Sequence, residues 1–123
     1  MPVLRSTAGL VAVFLVAPLA QAQDCNRQVF EPCQACHALA PGGPQKPGPH
    51  LAGLIGRKVA GDQAFDYSPA LRAARDKGDV WTKERLDAFL SDTEAMYPGG
   101  WMGSPPIRDA RQRAELLCVL GNP

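Results

Sequence analysis

The chain has 123 residues, 13 Lys and Arg against 12 Asp and Glu, which is enough for one domain. So even a balance offers no basic face for nucleic acid or an anionic membrane. Its 12 glycines and 12 prolines are many for a small domain but short of a disordered composition.

The first segment reads as a leader. Met1 to Arg5 carries one positive charge, Leu10 to Leu19 is apolar apart from Pro18, and Ala20-Gln21-Ala22 has the small-x-small form of a signal-peptidase site. Residues 1–22 are therefore expected to be a signal peptide, its apolar run too short for a permanent anchor. Cys25 hints at lipid attachment, but Asp24 before it is not the small residue such a site wants. The expected mature chain is 23–123, a single soluble domain exported to a bacterial periplasm. Removing the leader takes away Arg5 alone, leaving 12 basic against 12 acidic residues.

A short helix is predicted from Asp24, its N-cap, to His37, with Val29 and Phe30 apolar. Residues 40–50 are a loop, crowded with Pro41, Gly42, Gly43, Pro44, Pro47, Gly48 and Pro49. Leu51 to Arg57 makes a brief apolar turn, and 61–67 is loop again. Ser68-Pro69 opens a helix with Ser as cap and Pro in the first position, stopping at Lys77-Gly78. Thr82 caps the next, where Leu86, Phe89 and Leu90 recur at three-to-four spacing. Residues 98–106 are loop, and Arg108 to Leu120 is the last helix, with Gly121 as its stop. No segment reads as a strand, so the expected fold is all-α, loop-rich and without internal repeats.

The chemistry is concentrated in Cys33-Gln34-Ala35-Cys36-His37. Two cysteines about one helical turn apart, with a histidine directly after, have the spacing of a c-type haem attachment site. Both sulfurs reach one edge of a porphyrin, and His37 follows as an iron ligand. The motif has two other readings. Zinc needs four ligands and usually a second pair, but Cys25 and Cys118 lie far apart in sequence and His50 is the only other histidine. A thiol redox pair expects a βαβ setting, which this chain lacks. A haem would also supply the apolar centre that about 100 residues build only marginally by themselves. Cys25 and Cys118 remain, near the ends of an exported chain where disulfides persist. A bridge between them closes a loop of over ninety residues, worth about 4–5 kcal/mol in the chain-entropy picture. The other reading is an exposed Cys25 and a buried free Cys118.

The second axial ligand decides between electron transfer and chemistry at an open iron. Met96, Met102, His50 and the lysines are the candidates. Met96 closes a helix, where methionine is usually packing. Met102 lies in Pro98-Gly99-Gly100-Trp101-Met102-Gly103, where no helical period explains it and the loop is free to fold over a haem face.

Beyond these residues the chain resembles the class I cytochromes c, in the branch of mitochondrial cytochrome c and bacterial cytochrome c2. His37-Ala-Leu-Ala-Pro-Gly-Gly is similar to that branch, as is Lys46-x-Gly48-Pro49-x-Leu51-x-Gly53-Leu54-x-Gly56-Arg57-Lys58. Phe65-Asp66-Tyr67-Ser68, Trp81, Pro98-Gly99-x-x-Met102 and Arg113-Ala-Glu-Leu-Leu follow in order. The resemblance implies a cytochrome c fold of three to five short helices around one haem c. Cys33 and Cys36 would form the thioethers, and His37 and Met102 would ligate the iron. The Pro49 carbonyl would accept the other His37 nitrogen's hydrogen, and Arg57, Tyr67 and Trp81 would donate to a buried propionate. Phe30 would sit where the first and last helices cross, against Leu116 and Val119.

Several positions depart from the family. Its usual glycine in the first helix falls near Asn26. Phe89 replaces a tyrosine near the methionine, and Trp101 precedes Met102 where lysine is common. Pro32, Glu94 and Asp109 stand where mitochondrial forms ring the haem edge with lysines. The expected role is a monomeric, non-enzymatic electron carrier between periplasmic or membrane-bound redox proteins. It takes no nucleic acid or small-molecule substrate, and its docking depends little on salt. The alternative is a haem protein with a labile sixth position that binds small ligands or acts as a peroxidase.

Overall fold

The computed structural model describes residues 1–2 and 24–122; residues 3–22 of the expected leader lie outside the described residues. A 3-10 helix spans Arg27–Cys33. Four α-helices follow: α1 (Pro69–Asp76), α2 (Lys83–Ser91), α3 (Thr93–Met96) and α4 (Ala110–Gly121). Among the described residues the nearest thing to a sheet is one isolated antiparallel bridge, Lys58 with Val80. Among the described residues no helix is long and apolar enough to cross a membrane.

The opening helix differs from its sequence expectation. Its cap is Asn26, whose side chain accepts from the Gln28 N–H at 3.2 Å, rather than Asp24. It stays a 3-10 helix because it is short and Pro32 lies inside it, removing one N–H donor. The last helix also starts later than Arg108, because Asp109 accepts from the Arg111 N–H at 2.8 Å and fixes the first turn there. The middle helices begin as the sequence predicts, with Ser68 accepting from Leu71 and Thr82 from Arg85. Gly78, at φ +84°, ends α1 in the left-handed turn that glycine adopts without strain. Asp92 caps a further single turn, so the segment carrying Met96 is α3 rather than the end of α2.

The opening helix packs on α4, and α4 on α2. Phe30, Leu116 and Val119 are each 1% exposed and form the centre of the core. The first crossing is tied at its edge by the Asn26 N–H on the Glu115 carboxylate. Cys25 and Cys118 lie there with Cα atoms 5.6 Å apart, inside the span a disulfide bridges. Between α2 and α4, Arg113 donates to the Asp87 carboxylate at 2.8 Å and to the Ile107 carbonyl at 2.8 Å. The Ile107 N–H in turn bonds the Leu90 carbonyl. The loop that carries Met102 is thus tethered to two helices at its exit.

Candidate cofactor site

A cavity of about 730 Å³ opens between the opening helix, the 47–57 loop, α1 and the 101–108 loop, within the ~300–1,000 Å³ typical of ligand and cofactor sites. It gathers Cys33, Cys36, His37, Pro49, Arg57, Tyr67, Trp81 and Met102, residues spread over seventy positions of sequence. Leu54, Leu71 and Leu116 give it apolar walls.

His37 is the best-fixed member. It is 9% exposed, and its backbone N–H returns to the Cys33 carbonyl at 2.9 Å, closing the turn that carries the motif. Its Nδ1 lies 2.8 Å from the Pro49 carbonyl. A carbonyl only accepts, so Nδ1 carries the proton and Nε2 keeps its lone pair for a metal. Lys46 reinforces the turn by donating to the carbonyls of Gln34 and His37.

Gly48 makes this contact possible; by sequence it stood as a loop glycine and part of the family pattern, with no role at the site. A Cβ at Gly48 would meet His37 Cε1 at 2.5 Å and Nδ1 at 2.7 Å, closer than real side chains approach. The Gly48 N–H also bonds the Cys36 carbonyl at 2.8 Å. The imidazole therefore packs close against the Gly48 backbone, where any other residue would push it away. The Gly48-Pro49 dipeptide, eleven residues after His37, was the available signal.

The other end of the cavity is built by backbone pairing. The Trp81 N–H bonds the Arg57 carbonyl at 2.9 Å, and the Gly56 N–H bonds the Trp81 carbonyl at 2.7 Å. Arg57 and Trp81 are thereby held side by side. Arg57 donates to the carbonyls of Ala52 at 3.0 Å and His50 at 2.9 Å. Its Nε is buried with no partner. A buried guanidinium N–H without a partner costs stability, and other parts of the Arg57 side chain line the cavity. Tyr67 is 7% exposed, and burial pushes its hydroxyl pKa up, with the Asp62 backbone and the Arg57 charge pulling the other way. It therefore stays a neutral donor. Trp81 packs on Phe89 in a tilted pair at 5.1 Å and edge-on against Tyr97 at 6.2 Å. Phe89 thus packs behind Trp81 and is not among the residues that line the cavity.

These residues fit a haem: an apolar slot, two thiols at one edge, an oriented imidazole and an arginine on the lining. They do not fit the other readings of the motif. Among the described residues no three His, Cys, Asp or Glu side chains gather as a metal cluster. Burial pushes the Cys33 thiol pKa up, opposite to the lowered pKa of a redox-active cysteine. Met102 lines the cavity half-buried, while Trp101 before it is 60% exposed. Met96 packs against the core, and His50 is occupied with Arg57 and Asp62.

The chain is 38% identical over 91 residues to the cytochrome c2 of Agrobacterium tumefaciens (strain II Chrys), an alignment covering 74% of this chain and 82% of that protein. It is 36% identical over 107 residues to the cytochrome c2 of Blastochloris viridis, covering 85% of this chain and 81% of that one. Among solved structures, cytochrome c2 from Rhodospirillum centenum superposes with a TM-score of 0.68 at 28% identity, over 76% of this chain and 91% of that one. The chain matches no protein-family profile.

Proposed function

The chain belongs to the class I c-type cytochromes, in the cytochrome c2 branch, and from that premise we propose that it carries one electron at a time through His37 and Met102. It is an electron-transfer protein rather than an enzyme, and it works with redox-protein partners. The family's one covalent haem c corresponds here to the Cys33, Cys36 and His37 motif. When bound, haem c supplies a reversible one-electron iron couple. The observation that carries the proposal is His37, whose Nδ1 is spent on Pro49 so that Nε2 is the ring nitrogen left for iron.

Each remaining residue then has a task. Cys33 and Cys36 hold the thioethers. Met102 gives a neutral, soft thioether ligand that favours the reduced state and raises the potential. Arg57, Tyr67 and Trp81, which all line the cavity, would donate to a propionate. The apolar walls exclude water and keep the potential high.

The proposal extends to the protein's setting. Residues 1–22 direct export to the periplasm, and Cys25 and Cys118 form a disulfide there, in line with their 5.6 Å Cα separation. Partners dock at the edge near Cys36 and Trp101, both exposed, through a small transient contact below about 1,200 Å². Twelve basic and twelve acidic residues in 23–123 make that docking only weakly salt-dependent.

The test is the absorption spectrum of the protein matured with a c-haem apparatus. A covalent low-spin haem with the weak far-red band of sulfur-to-iron(III) ligation is expected, and Met102→Ala removes the band. A high-spin ferric spectrum in the wild type would replace this reading with a ligand-binding or peroxidase function.

A further inference from the structure

Glu94 stands out in the sequence only as an acid where mitochondrial forms carry lysine, and electron carriage as described above gives it no task. The structure supplies one. Both of its carboxylate oxygens accept from the Gly99 N–H, at 3.0 and 3.2 Å. Glu94 sits on the single turn of α3, which is itself fixed by Asp92 accepting from the Ala95 N–H at 3.0 Å. Its carboxylate therefore reaches forward from an anchored base to the start of the loop that carries Met102.

Tyr97, Pro98, Gly99 and Gly100 form a tight turn, closed by the Gly100 N–H on the Tyr97 carbonyl at 3.1 Å. Proline fixes its own φ, but glycine takes either sign of φ at little cost. The peptide between Pro98 and Gly99 can therefore face either way, which is what separates the two common turn types. Gly99 has φ +75°, the arrangement with positive φ at the third position of the turn. The Glu94 carboxylate holds the Gly99 N–H in that arrangement. Only Gly100 and Trp101 then separate the held amide from Met102.

The far end of the loop is tied by different chemistry. Arg113 Nη1 donates to the Ile107 and Arg108 carbonyls at 2.8 and 3.1 Å, and its Nε donates to Asp87. The Arg113 side chain is 14% exposed, whereas Glu94 and Gly99 both lie open to water. Between the two ties, residues 101–106 make no backbone–backbone hydrogen bond among the described residues, and Pro105 and Pro106 have no N–H to give. Met102 thus rides on a span of chain whose placement depends on its ends, and the Glu94 end is the more easily released.

We propose that Glu94 is a positioning residue for Met102: by holding the Gly99 amide it slows the departure of the Met102 sulfur from iron and keeps outside bases from the sixth position. The inference rests on the haem c reading above. When an outside base displaces Met102, a sulfur–iron bond breaks and a nitrogen–iron bond takes its place, with no electron transferred. Losing the Glu94 tie leaves the thioether itself unchanged and acts only on how often it leaves.

Stopped-flow binding of imidazole to the ferric holoprotein tests this. At saturating imidazole the observed rate is the rate at which Met102 leaves. Glu94→Ala should raise it about five-fold, the worth of one hydrogen bond. The guanidinium midpoint should stay at its wild-type value, which a general loosening of the fold would lower. Glu94→Gln keeps an oxygen for the Gly99 N–H but not the charge, and its rate should stay within about twofold of wild type. Amide exchange at Gly99 should quicken in Glu94→Ala and not in Glu94→Gln. A wild-type rate in Glu94→Ala overturns the inference by making the tie idle. A Glu94→Gln rate as fast as that of Glu94→Ala overturns it by assigning the effect to charge. In both cases the far-red band of the resting protein remains and the function reading stands. A high-spin wild type, or no covalent haem, overturns the function reading and this inference together, and the absorption spectrum tells the failures apart.

Discussion

The helix crossing and the cavity loops of this cytochrome are held by different forces. At the crossing, Phe30, Leu116 and Val119 are each 1% exposed, and stability comes from apolar area removed from water. Around the cavity the ties are polar and mostly to backbone: His37 on Pro49, Arg57 on His50 and Ala52, the Gly48 N–H on Cys36. The first region tolerates repacking and pays in stability. The second fixes where nitrogen atoms sit, and its disruption shows in ligand geometry.

The largest stability effect should come from Phe30→Ala. Truncating a fully buried phenylalanine costs about 3–5 kcal/mol, read as a lower guanidinium midpoint of the holoprotein. The far-red methionine band should survive, because no cavity tie passes through Phe30. Loss of both together would merge the two regions into one. Gly48→Ala is the converse. A Cβ 2.5 Å from the His37 ring forces the imidazole or its loop to move, at a cost of about 1–3 kcal/mol. The ferric spectrum should change more than in Phe30→Ala while the unfolding midpoint changes less. An unaltered spectrum would show that the His37–Pro49 contact is dispensable. Ser68→Ala removes the α1 cap and a hydroxyl on the cavity lining, and should cost about 1 kcal/mol, with a smaller spectral change than Gly48→Ala.

The same division explains what the sequence reveals. Ser68-Pro69 and Thr82 announce α1 and α2 because capping is local chemistry. Asp109 with Gln112 three residues on carries the same signal for α4, which is why the helix starts at Ala110 and not Arg108. The opening helix was less legible: Asp24 and Asn26 are both good caps, and only the packing on α4 chooses Asn26. Cys33, Cys36 and His37 were legible as a motif, and Met102 as an unexplained loop methionine. Pro49, Arg57, Tyr67 and Trp81 had no local signature, and the family resemblance alone singled them out. The Lys58–Val80 bridge that sets Arg57 beside Trp81 is a long-range pairing, and the Gly48 constraint is a contact with His37. Neither leaves a periodic trace.

The smallest effect on stability should come from an exposed residue at the site, and it gives the finest test of the division. Trp101 is 60% exposed, precedes Met102, and shares the cavity rim with Pro32, Pro105 and Pro106, all exposed. Substitution there should leave the unfolding midpoint within about 0.5 kcal/mol of wild type. Trp101→Lys, however, puts a positive charge beside the expected electron port, where wild type has an uncharged ring. Oxidation of the reduced protein by an anionic reagent such as ferricyanide should then speed up a few-fold at low ionic strength. The gain should disappear as salt shortens the Debye length toward ~8 Å. Wild type should show the weaker salt dependence throughout. If Trp101→Lys leaves both the rate and its salt dependence unchanged, electrons leave by another face. The rim of Trp101 and prolines would then be surface rather than port.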